Sequence, residues 1–297
     1  MGDFEIFEED DMKILTSYNG HDKKVVVPEG ITSIDNFDGD FVFQSSDEIE
    51  EVVLPESLEY IGDSAFFECK NLKKVVFSDN VYEIGSDAFG GCENLEEINL
   101  PDNLEIIAPN AFVGCGKLKI KSVPSSLTDV SINSFDNTRD VLLKNKAYVE
   151  LGDFMYNSET KSVLYALDAD SDDESVDDTF LKDAVLPLDT KLLGTSSLSF
   201  GRFESISIPK SVEYIGTSAF MFCDNLKKIT IPANVTTIDS GAFINCENPE
   251  EVVFEGNEPV TFGSMAFFGC PKLKSVKVPA GSDYEDAFEE SVTVSES

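Results

Sequence analysis

The sequence predicts a right-handed solenoid of short, stacked parallel strands, and three observations carry that prediction. In a chain of 297 residues, the six cysteines stand at 69, 92, 115, 223, 246 and 270, at intervals of 23, 23, 108, 23 and 24. An Ala-Phe pair precedes each cysteine by the same distance: Ala65-Phe66, Ala88-Phe89, Ala111-Phe112, Ala219-Phe220, Ala242-Phe243 and Ala266-Phe267. A proline column follows at Pro101, Pro124, Pro232 and Pro279, with Pro55 and Pro209 before the first clear unit of each set, and with Ser78 and Glu255 as departures. Units of fixed period bury their apolar faces only by stacking on one another.

Within a unit, Leu72, Val75 and Phe77 form an L-x-x-V-x-F pattern that Leu95, Ile98, Leu100 and Leu226, Ile229, Ile231 repeat. The alternation and the β-branched residues argue for a short strand with one buried face. Proline closes it, because it lacks the N–H that the next rung of a ladder requires. A second apolar pair follows, such as Leu58 with Ile61 or Val212 with Ile215, often before Gly62, Gly85 or Gly216, and there the chain is expected to turn. The GDSAFFEC piece is too short for a full helix and reads as a single helical or 3₁₀ turn. A period of this length is that of a leucine-rich repeat solenoid.

Four segments follow: residues 1–24 as an N-terminal β-hairpin cap, 25–143 as a first repeat array, 144–184 as a second hairpin plus an acidic linker, and 185–297 as a second array with a C-terminal tail. The second hairpin is suggested by GDFMYNSETKSVLYA from Gly152, which echoes GDFEIFEEDDMKILTSY from Gly2. The units that begin at Val25 and Val185 lack cysteine, as terminal units do when one face has no neighbour. Lys121 stands where other units carry Val75 or Ile98, so that rung is expected to bulge or to lie near an array end. The pattern fits one continuous superhelix and two arcs joined near 144–184 equally well.

Charge limits the partners. With 57 Asp and Glu against 22 Lys and Arg, the formal net charge is -35. Such a surface repels nucleic acid, whose binding depends on Lys and Arg displacing counterions. A hydrophobic content of 41% supplies a core and argues against wholesale disorder. The start, MGDFEIFEEDDMKIL, shows no basic region followed by an apolar run of leader length. No stretch is apolar for the roughly 18–20 residues that a membrane-spanning helix needs, so membrane insertion is not expected.

The segment SIPKSVEYIGTSAFMFCDNLKKITIP, Ser207 to Pro232, resembles the BspA-type leucine-rich repeat family, with clear units over about 52–124 and 206–279. The resemblance implies the solenoid fold and a non-catalytic protein-interaction module, engaged in adhesion or in binding host or matrix proteins. It brings no catalytic, cofactor-binding or metal-binding residue to this sequence, and none is assigned. The alternative is an intracellular structural or assembly scaffold, motivated by free thiols and the absence of a visible leader. Localisation would be the cell surface or outside if a leader has been removed, and cytoplasmic otherwise.

The cysteines occupy one repeat position on separate rungs, without C-x-x-C pairing, and read as buried free thiols packed beside phenylalanine. His21, the sole histidine, sits in the turn-like YNGHDKK and reads as an exposed turn residue. The run Asp168 to Asp178 could collect calcium weakly. It fails the helix-loop-helix calcium pattern, however, with Asp173 where glycine is required and Thr179 where glutamate is required. Asn234-Val-Thr236 matches a glycosylation sequon by chance.

Outward positions of the predicted strands alternate in sign. They read Glu50-Glu51, Lys73-Lys74, Glu96-Glu97 and Lys119 in the first array, and Glu204-Ser205, Lys227-Lys228, Glu250-Glu251 and Lys274-Ser275 in the second. Parallel stacking would set each glutamate pair between lysine pairs, and a slip of one unit would set like charges together. This leaves the strand face nearly neutral, with the excess acid on turns and linker. The residue after each Ala-Phe pair, Phe67, Gly90, Val113, Met221, Ile244 and Phe268, is mostly apolar and is expected to thicken the core rather than face outward.

Overall fold

The computed structural model describes residues 3–9, 12–35, 42–43, 48–152, 154–167 and 183–296. The chain forms two compact units, Met1–Tyr148 and Val149–Ser297. Each is a stack of coils whose parallel strands are two to four residues long.

In the first unit the hairpin Phe4–Glu9 and Met12–Tyr18 is antiparallel. Its second strand opens a parallel series through Ser33–Ile34, Tyr60–Ile61, Glu83–Ile84, Ile106–Ile107 and Asp129–Val130. A separate three-stranded parallel sheet comprises Lys24–Val26, Glu51–Val53 and Lys74–Val76. The second unit repeats the plan: the strands Phe154–Asn157 and Ser162–Ala166 form an antiparallel hairpin. A parallel series then runs through Leu192–Leu193, Tyr214–Ile215, Thr237–Ile238 and Thr261–Phe262. Beside it lie the parallel pairs Asp183–Val185 with Ser205–Ser207, Lys228–Ile231 with Glu251–Phe254, and Ser275–Val278 with Thr293–Glu296.

The longer series is built where the sequence suggested only a turn. Each x-Ile pair before glycine makes a two-residue strand, and the ladder continues past it: the Gly62 N–H donates to the Ile34 carbonyl at 2.7 Å, and Gly85 to Ile61 at 2.7 Å. A Cβ at Gly62 would meet the Ile34 oxygen at 2.7 Å. Glycine therefore permits the close approach of adjacent coils here.

The Ala-Phe segment contains the i to i−3 bonds of a 3₁₀ turn, with Ala65 donating to Gly62 and Phe67 to Ser64. Alternate N–H groups point elsewhere. Ser64, Phe66 and Glu68 donate to Ser86, Ala88 and Gly90 of the next coil, at 2.7–2.8 Å. Ser64 and Glu68 have φ of 56° and 54°, so left-handed residues interrupt any continuous helix and turn every second donor along the stack.

The core is a column of rings. Phe43, Phe66, Phe89, Phe112 and Phe135 stack in succession with centroids 4.4–5.2 Å apart and planes within 14° of parallel. In the second unit Phe220, Phe243, Phe267 and Phe288 do the same. The last of these belongs to a repeat that sequence reading assigned to the tail: Ala287 is fully buried and Phe288 stacks 5.1 Å from Phe267, with no cysteine to mark the coil.

Residues 118–124 form no strand. Ile120 is buried and Lys121 exposed, which inverts the usual alternation. This rung ends the shorter face of the first unit, and side chains cover its carbonyls. Lys144 Nζ donates to Ile120 O, Asn145 Nδ2 to Val123 O, and the Tyr148 hydroxyl to Pro124 O. The short helix Thr138–Leu142 leads the chain into that cap, so the first unit continues to Tyr148. A strand edge closed by side chains cannot template pairing with another chain.

Candidate interaction surface

The alternating charges meet as ion pairs on the three-stranded face. Lys24, Glu51 and Lys74 are in register, and Lys24 Nζ lies 3.0 Å from Glu51. Glu50 is held from both sides, with Lys23 and Lys73 each 2.6 Å from one of its oxygens. These two hydrogen bonds, with Lys23 first, lower the Glu50 carboxyl from 4.5 to about 2. The second unit pairs Lys228 with Glu251 at 2.9 Å and Lys227 with Glu204 at 4.0 Å. The ladder stops where the strands stop. Lys74 and Glu97 make one isolated bridge, and among the described residues Glu96, Glu97 and Lys119 form no ion pair.

Acid also gathers on the longer series, not only on turns and linker. Glu83 sits half-buried between Tyr60 and Ile106 of the neighbouring strands. Burial, then Asp129 and Asp63, raise its carboxyl above the ordinary glutamate value. Burial followed by Asp63 and Asp35 likewise raises the Tyr60 hydroxyl.

All six cysteines are free and buried. Each thiol also donates to a main-chain carbonyl one coil back. Cys92 Sγ lies 3.2 Å from Phe66 O and Cys115 Sγ 3.2 Å from Phe89 O. In the second unit Cys246 reaches Phe220 O at 3.1 Å and Cys270 reaches Phe243 O at 3.3 Å. A small apolar group with one weak donor suits this position, and sequence reading saw only the apolar half. Burial, then Cys69 and Cys115, push the Cys92 thiol up, and burial pushes Cys115 up to about 12. These thiols are poor nucleophiles.

The turn face departs most from the sequence reading. Of the residues after Ala-Phe, only Gly90 is buried; Phe67, Val113, Met221 and Ile244 are half-buried, and Phe268 is 43% exposed. They line the rim because each follows the inward phenylalanine at a turn. One residue further on, φ is positive at Glu68, Gly91 and Gly114 in the first unit and at Phe222, Asn245 and Gly269 in the second, and Phe200 holds the matching place after Leu198. Phe200 is 62% exposed and Phe222 37%, and their rings stack with centroids 5.1 Å apart.

The pair sets a backbone cost against a packing gain. A side chain in the left-handed region costs about 1–2 kcal/mol per residue. Ring pairing returns about 0.5–1.5 kcal/mol beyond the apolar area that the rings bury. Glu68 and Asn245 bear the same backbone cost at this position without a ring, so what distinguishes Phe200 and Phe222 is the exposed apolar surface they present. Met265, 51% exposed and also at positive φ, adds to the apolar rim of this unit together with Phe268.

The sequence matches the BspA type leucine rich repeat region in six copies, over residues 36–146 and 179–296. The chain belongs to the BspA-type leucine-rich repeat family. No curated protein matches it. Similar solved structures include a leucine rich cell surface protein from Faecalibacterium prausnitzii, 19% identical over 100% of this chain and 94% of that one, with a TM-score of 0.37. Others are a leucine-rich repeat protein from Eubacterium ventriosum, 18% identical over 100% and 92% with a TM-score of 0.42, and the pneumococcal vaccine antigen PcpA, 18% identical over 99% and 86% with a TM-score of 0.39.

The remaining candidates carry little chemistry in this BspA-type chain. His21 is exposed, its Nδ1 3.9 Å from Glu48. Among the described residues no three His, Cys, Asp or Glu side chains gather as metal ligands, and no helix is long and apolar enough to cross a membrane. Asn234 is exposed but engaged, its Nδ2 donating to Lys210 O at 2.7 Å. The acidic run Asp168 to Asp178, with its weak calcium reading, lies outside the described residues.

Proposed function

We propose that this chain is a non-catalytic protein-interaction module that engages its partner through the turn face of the second unit. One observation carries the reading: stacked, exposed phenylalanines at 200 and 222 occupy left-handed positions that Gly91, Gly114 and Gly269 fill in other coils. The repeat provides a rigid support, since the longer strand series and the turns bond successive coils to one another, and shorter strands pair some of them as well.

The test is site-specific photo-crosslinking in the source cells. A photoreactive phenylalanine analogue at position 222 should give a discrete protein adduct, whereas the same group at the exposed Tyr82 should not. Equal labelling at both positions would contradict the reading.

Two locations suit such a module. Display at the cell surface fits adhesion or capture of host or matrix protein. The alternative, an intracellular scaffold, draws on six free cysteines, which persist most readily in a reducing compartment. Protease treatment of intact cells separates them: loss of the protein while a cytosolic control survives means surface display, and survival of both means the interior.

A further inference from the structure

We propose that the Phe200–Phe222 pair is a seat for the guanidinium or ammonium groups of an extended, basic segment of the partner, with Asp224 and Glu247 supplying the opposing charge. The inference rests on the interaction-module reading and names the chemistry of what binds there.

The geometry begins with the stack. Each ring covers one face of the other, at 5.1 Å and an interplanar angle of 20°, so each retains one outward face. Phe200 occupies the first turn of the array, where Leu198 stands in the phenylalanine place, and its N–H is bonded to Met221 O. Phe222 donates in turn to Ile244 O at 3.1 Å, which places the coil of Asn245 to Glu247 beyond its outward face. That coil does not carry another ring. The Asn245 amide is directed onward, since a Cβ at Gly269 would meet its Oδ1 at 2.1 Å.

Two acids follow in the chain, Asp224 two residues after Phe222 and Glu247 two residues after Asn245. Asp224 donates its N–H to Phe222 O at 2.9 Å, and its Oδ1 accepts the Glu247 N–H at 3.3 Å. The Asp224 carboxylate is thereby held between its own coil and the next, where Glu247 adds a second acid. The aromatic face carries a negative quadrupole that attracts cations, and Arg does so more often than Lys. A chain of net charge -35 draws basic segments from solution and repels acidic ones. The first unit lacks the seat altogether, having Glu68, Gly91 and Gly114 at the corresponding positions.

The test is fluorescence anisotropy with the full chain and labelled extended peptides in which arginine, norleucine or glutamate alternates with serine. The arginine peptide should bind. Its affinity should fall at least tenfold in the double variant Phe200→Asn/Phe222→Asn and at least fivefold in Asp224→Asn/Glu247→Gln. A control with Glu96→Gln/Glu97→Gln, on the other unit, should bind as the parent does. Equal affinity of the parent and the phenylalanine variant would overturn the proposal, showing only diffuse attraction to an acidic surface. Tighter binding of the norleucine peptide, lost in the phenylalanine variant, would overturn the cationic assignment while leaving an interaction surface at the same rings. Binding of a neutral glycan in place of the arginine peptide would also overturn it, and so would failure of every peptide to bind at millimolar concentration. The crosslinking experiment at position 222 stands independently of all these outcomes.

Discussion

Cys92 donates its thiol hydrogen to the main-chain carbonyl of Phe66, 3.2 Å away and one coil back. The same carbonyl already accepts the Cys69 N–H at 3.1 Å, so the thiol is a second bond that ties adjacent coils. Cys92→Ala should destabilise the first unit by about 1–2 kcal/mol, from a small cavity and one lost weak bond. Urea unfolding measures this. An alanine variant as stable as the parent would show that the thiol contributes nothing.

The thiol column should also be chemically silent. A thiol-specific disulfide reagent should label none of the six cysteines in the folded chain and all six in denaturant, because all six sulfurs are buried and burial also raises the Cys92 and Cys115 thiols. Rapid labelling at pH 8 without unfolding would contradict the packing.

Glu50 gives the charge ladder a pH signature. Its folded value, about 2, lies below the ordinary 4.5, so its contribution is present above pH 4.5 and disappears as pH falls towards 2. Glu50→Gln should lower the unfolding midpoint at pH 7 but not at pH 2, and the difference should shrink in 1 M salt. Carbon-detected NMR titration of the Glu50 carboxyl reads the shift directly. A midpoint near 4.5 would mean that the pairs to Lys23 and Lys73 are not maintained in solution.

Glu83 behaves in the opposite sense. Its folded value is raised, so protonation favours the folded state, and stability from this group is lost as pH rises through the folded value. Glu83→Gln should therefore stabilise the protein at pH 7, by about 0.5–1.5 kcal/mol for a half-buried acid relieved of like-charged neighbours. The gain should vanish below pH 4. Thermal melts at both pH values check the sign, and destabilisation at pH 7 would contradict it.

The repeat was legible because its spacing is rigid. Cys69, Cys92 and Cys115, with the Ala-Phe pairs before them, set the coil length and the direction of the ring stack, and the glutamate and lysine pairs gave the strand register. What escaped the sequence followed from backbone geometry that residue types state weakly. Two residues such as Tyr60-Ile61 are too few to show a strand period, yet the Gly62 N–H makes them one rung of the longer series. The coil at Ala287-Phe288 lacks the cysteine that marks the others. Phe222 has no column of its own in the sequence pattern, and what sets it apart is an exposed ring at this turn position with Phe200 as its partner, although MFC against GGC and VGC in the first array was a visible difference.

Phe200 and Phe222 form an exposed pair outside the buried ring column, and thermal unfolding of Phe200→Gly/Phe222→Gly beside Phe89→Ala tests this most directly. Phe89 is fully buried in the ring column, so its truncation should cost about 3–5 kcal/mol. The double glycine variant should melt far closer to the parent than Phe89→Ala does, because relief of two strained residues offsets part of the lost ring contact, the apolar area that Phe222 buries and the added freedom of glycine in the unfolded chain. A drop in the double variant comparable to that of Phe89→Ala would make the exposed pair a part of the core and remove the ground for a binding face there.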